Sequence, residues 1–219
     1  MAQPRISNTG TARLFESSIL EKLTRTSFLF PVSLYYIIAL GCIAYAAFYT
    51  NQQLMRLLYL FPLGMITFTL VEYLIHRFIF HFSPSNEKQE KVKYNIHGVH
   101  HEFPKDKDRL AMPPIISMLI AAVFFVLFYA LMGQTVWLFF SGFSAGYSTY
   151  LVIHYAVHRY RPPANFLKFL WKHHSLHHYK SDEAAFSVSL PLWDVLFNTM
   201  PKLSSKKEEA ADKLPDYQR

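Results

Sequence analysis

Four apolar runs, at about 30–49, 57–80, 113–132 and 135–158, restrict this chain to one class of fold. Each has roughly the 20 residues an α-helix needs to cross about 30 Å of hydrocarbon. A helix satisfies its own backbone groups there, so the expectation is an all-α integral membrane protein with four transmembrane helices. Composition agrees, because 52% of the 219 residues are hydrophobic, including 20 Phe and 14 Tyr, which is oily for a soluble protein. Only Gly133 and Gln134 separate the third and fourth runs, which predicts a tight helical hairpin. A polar stretch, 82–111, separates the second and third.

Residues 1–29 are polar and mixed in charge, with an amphipathic helix expected around 14–23. They lack the apolar core of a cleavable signal peptide, so none is expected. Residues 30–200 form the expected membrane domain, and 201–219 a polar tail expected to be disordered. The single cysteine, Cys42, lies inside an apolar run and reads as a small buried apolar residue. It excludes a disulfide framework and a Cys-ligated zinc or iron–sulfur site.

The net charge of +7 does not point to nucleic acid, because the basic residues flank the apolar runs. Of the 22 Lys and Arg, 20 fall before the first run, in 82–111 or after His158. Those segments share one side of a four-span topology, so the positive-inside rule makes that side, and both termini, cytoplasmic.

The 11 histidines all lie between His76 and His178, in four clusters near the ends of apolar runs. A lone histidine at a helix end is ordinarily a cap or a snorkelling polar group. Four clusters on one membrane side call for another reason, and neutral imidazole is the commonest metal side-chain ligand. Spacing decides which rings can act together, since residues three and four apart on a helix share a face. His97, His100 and His101 obey this, as do His154 with His158, and His174 with His177 and His178. His76 and His81 are five apart and converge only if the helix bends or ends between them, or if they serve different sides of a metal pair. His173 could replace His174 by angle, being four residues from His177. The expectation is a cytoplasmic helical cap in which ten imidazoles hold two metal ions.

Other metal and catalytic motifs fail. His101-Glu102 opens a zincin-like pair, but Pro104 and Lys105 follow where a helix and a second histidine are needed. Carboxylates are too few for a soluble di-iron carboxylate site. No phosphate-cradling glycine loop and no G-x-S-x-G elbow occurs.

These motifs together resemble the fatty acid hydroxylase/sterol desaturase superfamily. Glu72 to His81 matches its H-x-x-x-x-H element with an E-Y lead, and His97 to His101 matches H-G-x-H-H. His154, Tyr155 and His158 match H-Y-x-x-H, and His174 to His178 matches H-x-x-H-H. Asp108 to Pro114 resembles the D-x-R-L-x-x-P-P of the sphingolipid fatty acid 2-hydroxylases, and Trp193 to Thr199 their closing W-D-x-x-F-x-T. The resemblance runs from about residue 13 to 200. Two departures stand out: Tyr150-Leu151 replaces the family's Tyr-Asp, and Ala185-Phe186-Ser187-Val188 replaces G-F-G-V. An aspartate at 151 could orient a ligand imidazole, so Glu72 or backbone carbonyls are expected to do so instead.

The resemblance implies that His76, His81, His97, His100, His101, His154, His158, His174, His177 and His178 are the metal ligands, and that His173 is not. It implies a membrane oxygenase that hydroxylates the α-carbon of a long-chain fatty acyl group, with a sphingolipid or ceramide as its carrier. The two metal ions would be iron in the active enzyme, although imidazoles bind zinc as readily. Dioxygen would be co-substrate. No fused cytochrome b5 domain is expected, and electrons would then come from a separate cytochrome b5-like or ferredoxin-like donor. The membrane would be a bacterial inner membrane or the endoplasmic reticulum. Rival readings are sterol or carotenoid oxidation on the same scaffold, and a membrane metal-binding or transport protein. Transport fits less well, because transporters line the bilayer midplane with polar groups, and the first and third runs contain almost none.

Overall fold

A computed structural model of the chain describes residues 6–201, so the tail from 202 onward lies outside the described residues. The described residues are helical and contain no strand. In chain order the α-helices are α1 (Ser18–Leu23), α2 (Leu29–Tyr49), α3 (Leu57–Ile75), α4 (Glu87–Lys93) and α5 (Val99–Glu102). They continue with α6 (Pro114–Met132), α7 (Val136–Arg159), α8 (Lys168–Tyr179) and α9 (Leu192–Leu196). Two five-residue π-helical turns join this series: His76–Phe80 extends α3, and Tyr94–Gly98 links α4 to α5.

The chain divides into two compact units, each built from separated segments. One, Thr11–Val71 with Asp106–Val152, is the apolar unit. The other contains Glu72–Lys105 and the chain from Ile153 onward, with the N-terminal residues to Gly10; it carries every histidine.

Among the described residues, three stretches are long and apolar enough to cross a membrane: Leu29–Tyr49, Leu57–Phe80 and Lys107–Arg159. The last holds both α6 and α7, which Gly133 divides at a φ of 57°. Positive φ suits glycine, so the helix breaks there at little cost. Ring pairs Phe124–Phe143, Phe125–Phe140 and Phe128–Phe139, with centroids 5.4, 5.1 and 5.0 Å apart, run in opposite sequence directions. They establish α6 and α7 as an antiparallel hairpin, as their short link predicts.

Small residues set the crossing of α3 and α7 within the apolar unit. A Cβ on Gly142 would sit 1.9 Å from the Phe61 carbonyl oxygen, and one on Gly64 2.1 Å from that of Phe139. Backbones this close are the usual way apolar helices associate without a hydrophobic drive between them. Outward positions remain apolar: Ile37, Leu40 and Phe48 on α2, and Leu119, Val123, Val126 and Leu131 on α6 are all exposed. A surface this oily is suited to lipid rather than water.

The amphipathic helix expected at 14–23 is shorter, beginning only at Ser18. The Glu21 carboxylate accepts from the backbone N–H groups of Leu14 and Phe15 at 2.9 and 3.3 Å, which folds that segment back over the helix start. Buried Arg109 locks it there, donating to Glu21 at 2.5 Å, Thr24 at 2.9 Å and the Ala12 carbonyl at 2.9 Å.

Candidate metal centre

Ten imidazoles converge in the second unit, sorted into two groups of five. His76, His81, His97, His101 and His177 form the first; His100, His154, His158, His174 and His178 form the second. Within each group the candidate ligand atoms all lie within 4.8 Å of one another. All are buried except His81, which is half-buried.

Local helix geometry explains the sorting. Each group takes two pairs and one single ring. The pairs His97/His101, His154/His158 and His174/His178 use the four-residue helical spacing. His76/His81 instead uses the π-turn, whose characteristic bond runs from the His81 N–H to the His76 carbonyl at 3.1 Å. A bond between residues five apart lets rings at that spacing share a face. The convergence expected only from a bend, a helix end or service to different sides of a metal pair is met instead by a change of helical type. The single rings, His100 and His177, come from the triplets that spacing read as acting together; the structure instead divides each triplet between the two groups. Stacking of His101 on His178, centroids 4.3 Å apart, brings the groups side by side.

The nitrogen contacts test whether a cation fits. In the second group Nε2 atoms meet in a run from His100 to His154 at 3.1 Å, His154 to His158 at 3.2 Å, His158 to His174 at 2.8 Å and His174 to His178 at 3.1 Å. In the first, His76 meets His97 at 3.1 Å and His177 meets His81 at 3.1 Å. A single ring N–H cannot serve two neighbours at once, as the middle members of the run would require. Metal–nitrogen bonds of about 2.0–2.1 Å would set adjacent ligands about 2.8–3.4 Å apart and opposite ones about 4.0–4.2 Å apart. The observed spacings match that set, so the residues fit a metal in each group.

Protonation state agrees. Burial, followed by the neighbouring imidazoles, holds His97, His100, His174, His177 and His178 well below the ordinary histidine range and lowers His101 to about 3. His81 is lowered for the same reasons. Neutral rings keep the lone pair that binds a metal.

A turn at 184–189 orients two rings of the first group. The Phe186 carbonyl accepts from Nδ1–H of His76, and the Ala184 carbonyl from Nδ1–H of His177 at 2.7 Å. Those bonds leave Nε2 of both rings as the free lone pair. Backbone carbonyls therefore orient these two rings, as expected where the family's aspartate is absent. The hydrogen bonds of Glu72 go to the turn and not to a ring. Its carboxylate accepts from the Val188 and Ser189 N–H groups and, at 2.6 Å, from the Ser189 hydroxyl, anchoring the far end of the turn.

His173 stands outside both groups. Its Nε2 donates to Asp194 at 3.0 Å. Asp194 is fully buried and also accepts from the Phe186 N–H at 2.9 Å, the Ser187 N–H at 2.8 Å and the Thr199 hydroxyl at 2.7 Å. Burial works to raise its pKa, but these donors hold it below the usual carboxylate range. Asp194 and Thr199 were visible only as letters of the W-D-x-x-F-x-T element, and spacing gave them no role. Their partners are brought to them by folding.

The fatty acid hydroxylase profile matches residues 61–199, a span holding both groups and the turn. A fatty acid 2-hydroxylase of Rattus norvegicus is 37% identical over 145 residues, covering 64% of this chain and 39% of the relative. A ceramide very long chain fatty acid hydroxylase of Saccharomyces cerevisiae is 34% identical over 209 residues, covering 90% of this chain and 51% of the relative. The chain thus spans about half the length, or less, of these curated relatives. A dihydroceramide fatty acyl 2-hydroxylase of Arabidopsis thaliana is 29% identical, and there the match covers 83% of the relative. The solved structure of full-length Scs7p, in which only the hydroxylase domain is visible, superposes with a TM-score of 0.81 at 33% identity, over 91% of this chain and 75% of that one. With the profile matched over more than half its length, this chain belongs to the fatty acid hydroxylase family.

Proposed function

We propose that the protein is a membrane di-iron oxygenase that hydroxylates the α-carbon of a long-chain fatty acyl group, with a sphingolipid such as ceramide as the acyl carrier. The observation that carries the reading is the pair of five-imidazole groups, a donor set suited to non-haem metal chemistry. The names of the relatives support the reaction and the substrate class: they are 2-hydroxylases of fatty acids and of dihydroceramide, and a hydroxylase of ceramide.

The ten histidines would hold the metals. Bound there, two redox-active ions would supply the activation of dioxygen that breaking a C–H bond requires. The balance is one C–H bond, one dioxygen, two electrons and two protons giving one alcohol and one water. The electrons come from a separate donor, cytochrome b5-like or ferredoxin-like. The chain's own contribution is pre-organisation. Burial keeps the rings neutral, the Phe186 and Ala184 carbonyls fix two of them, and the enclosure of nine rings limits water at the centre.

The topology that goes with this reading has four spans, because α6 and α7 are separate helices of membrane-spanning length. It has a cytoplasmic cap and both termini cytoplasmic, in a bacterial inner membrane or the endoplasmic reticulum. Cysteines introduced at Gln52 and Gln134 should then label from the opposite side to one at Glu90.

The deciding experiment is lipid mass spectrometry of a host lacking its own 2-hydroxylase. Expression should add 2-hydroxy acyl chains, seen as a gain of one oxygen at the α-carbon. His100→Ala and His178→Ala should each abolish the product. Persistence of the product in either variant, or a loss of two hydrogens without oxygen, would overturn the proposal.

A further inference from the structure

Asp194 and His173 lie outside the ten candidate ligands, yet both are buried. Asp194 is 0% exposed and His173 6%. Burying a carboxylate is costly unless every lone pair is engaged, and here four donors engage it. Two of these, the Phe186 and Ser187 N–H groups, belong to the 184–189 turn. The Thr199 N–H bonds the Asp194 carbonyl at 2.8 Å, and the Ala185 N–H bonds that of Thr199 at 2.9 Å, closing the same knot through the backbone.

The candidate ligands that this turn contacts belong to one metal group. The Phe186 carbonyl takes the Nδ1–H of His76, and the Ala184 carbonyl takes that of His177. The Phe186 ring lies 6.0, 5.6 and 5.7 Å from the rings of His76, His81 and His177. All three are first-group members.

We infer that Asp194, buttressed by His173, is a positioning residue selective for the first metal site: it holds the turn whose carbonyls orient His76 and His177. The inference rests on reading the ten histidines as ligands. An aspartate can accept from all four donors. An asparagine has one oxygen and would turn an amide N–H toward at least one of them. The turn would then shift and the two rings lose their fixed orientation. Loss of such outer support typically costs about 10–100-fold in metal affinity.

The test is Zn(II) titration of the purified full-length chain in detergent, with metal content per chain as readout. The unmodified protein should take up two ions. Asp194→Asn should keep one at unchanged affinity and bind the other at least about tenfold more weakly. Combining it with His81→Ala should weaken only that same ion further and leave the other at unchanged affinity, whereas combining it with His158→Ala should leave no ion bound at unmodified affinity. His173→Ala, which removes one donor of four, should weaken the same ion by less and carries the test if Asp194→Asn does not fold. Leu170→Ala, a cavity in the same unit, should lower the melting temperature yet leave two ions bound.

The inference fails if Asp194→Asn and His173→Ala both retain two ions at unmodified affinity. It fails equally if they lose both ions together, if the second-group ion is the one lost, or if Leu170→Ala shows the same selective loss. Fewer than two ions in the unmodified protein would overturn the two-site reading as well.

Discussion

Ala185 sits at φ 59°, in the left-handed region that costs a residue with a Cβ about 1–2 kcal/mol. The family's glycine at this position would avoid that cost, so the turn keeps its shape against the preference of its residue. Ala185→Gly should therefore raise the melting temperature, by roughly 0.5–1 kcal/mol of stability after the entropy glycine adds to the unfolded chain. Thermal denaturation checks it, and a fall would mean the strain is absorbed elsewhere. Glu72 belongs at the same scale. Glu72→Gln replaces an acceptor of three hydrogen bonds by a group that must donate at one end, and should cost about 1–3 kcal/mol by the same measurement. The sequence marked Glu72 as part of an E-Y lead and offered it as a support for a ring. Its actual partners, Val188 and Ser189, lie more than 100 residues away, and no spacing rule reaches that far.

Among the elements, the close approach of α3 and α7 is the most sensitive to side-chain size. Gly142→Leu has no room, since even a Cβ meets the Phe61 carbonyl oxygen at 1.9 Å. It should cost about 1–3 kcal/mol or prevent folding. Gly41→Ala on α2, with nothing within 4 Å of its Cβ, should be neutral or mildly stabilising in the same assay. The π-turn His76–Phe80 lies at the other extreme of legibility. Its five-residue spacing was plain in the sequence, but the pattern alone could not choose between a bend, a helix end and a changed hydrogen-bond register. The hairpin of α6 and α7, by contrast, was readable from a two-residue link.

For the whole molecule, the buried imidazoles couple folding to pH and to metal. The pKa values of His97, His100, His101, His174, His177 and His178 are depressed in the folded chain, mainly by burial. The unfolded chain therefore binds more protons below about pH 6.5. The metal-stripped protein should be most stable above that pH and lose stability as pH falls. Each neutral ring adds up to about 1.4 kcal/mol per pH unit to the slope. A melting temperature that rises on acidification from pH 7 to 5 would contradict this. Binding acts in the opposite direction: a metal at 100 times its dissociation constant stabilises by about 2.7 kcal/mol per site. Chelation should lower the melting temperature accordingly.

The linear chain determined the helical class, the apolar runs and the clustered histidines as candidate ligands, with His173 and His174 left as alternatives by spacing, because hydropathy, helical period and imidazole chemistry are local properties. Folding alone decided which five rings share a site, that His173 turns away to Asp194, and that carbonyls of a left-handed turn orient His76 and His177. Those outcomes depend on contacts that reach up to 110 positions along the chain, and only three-dimensional packing brings such residues together.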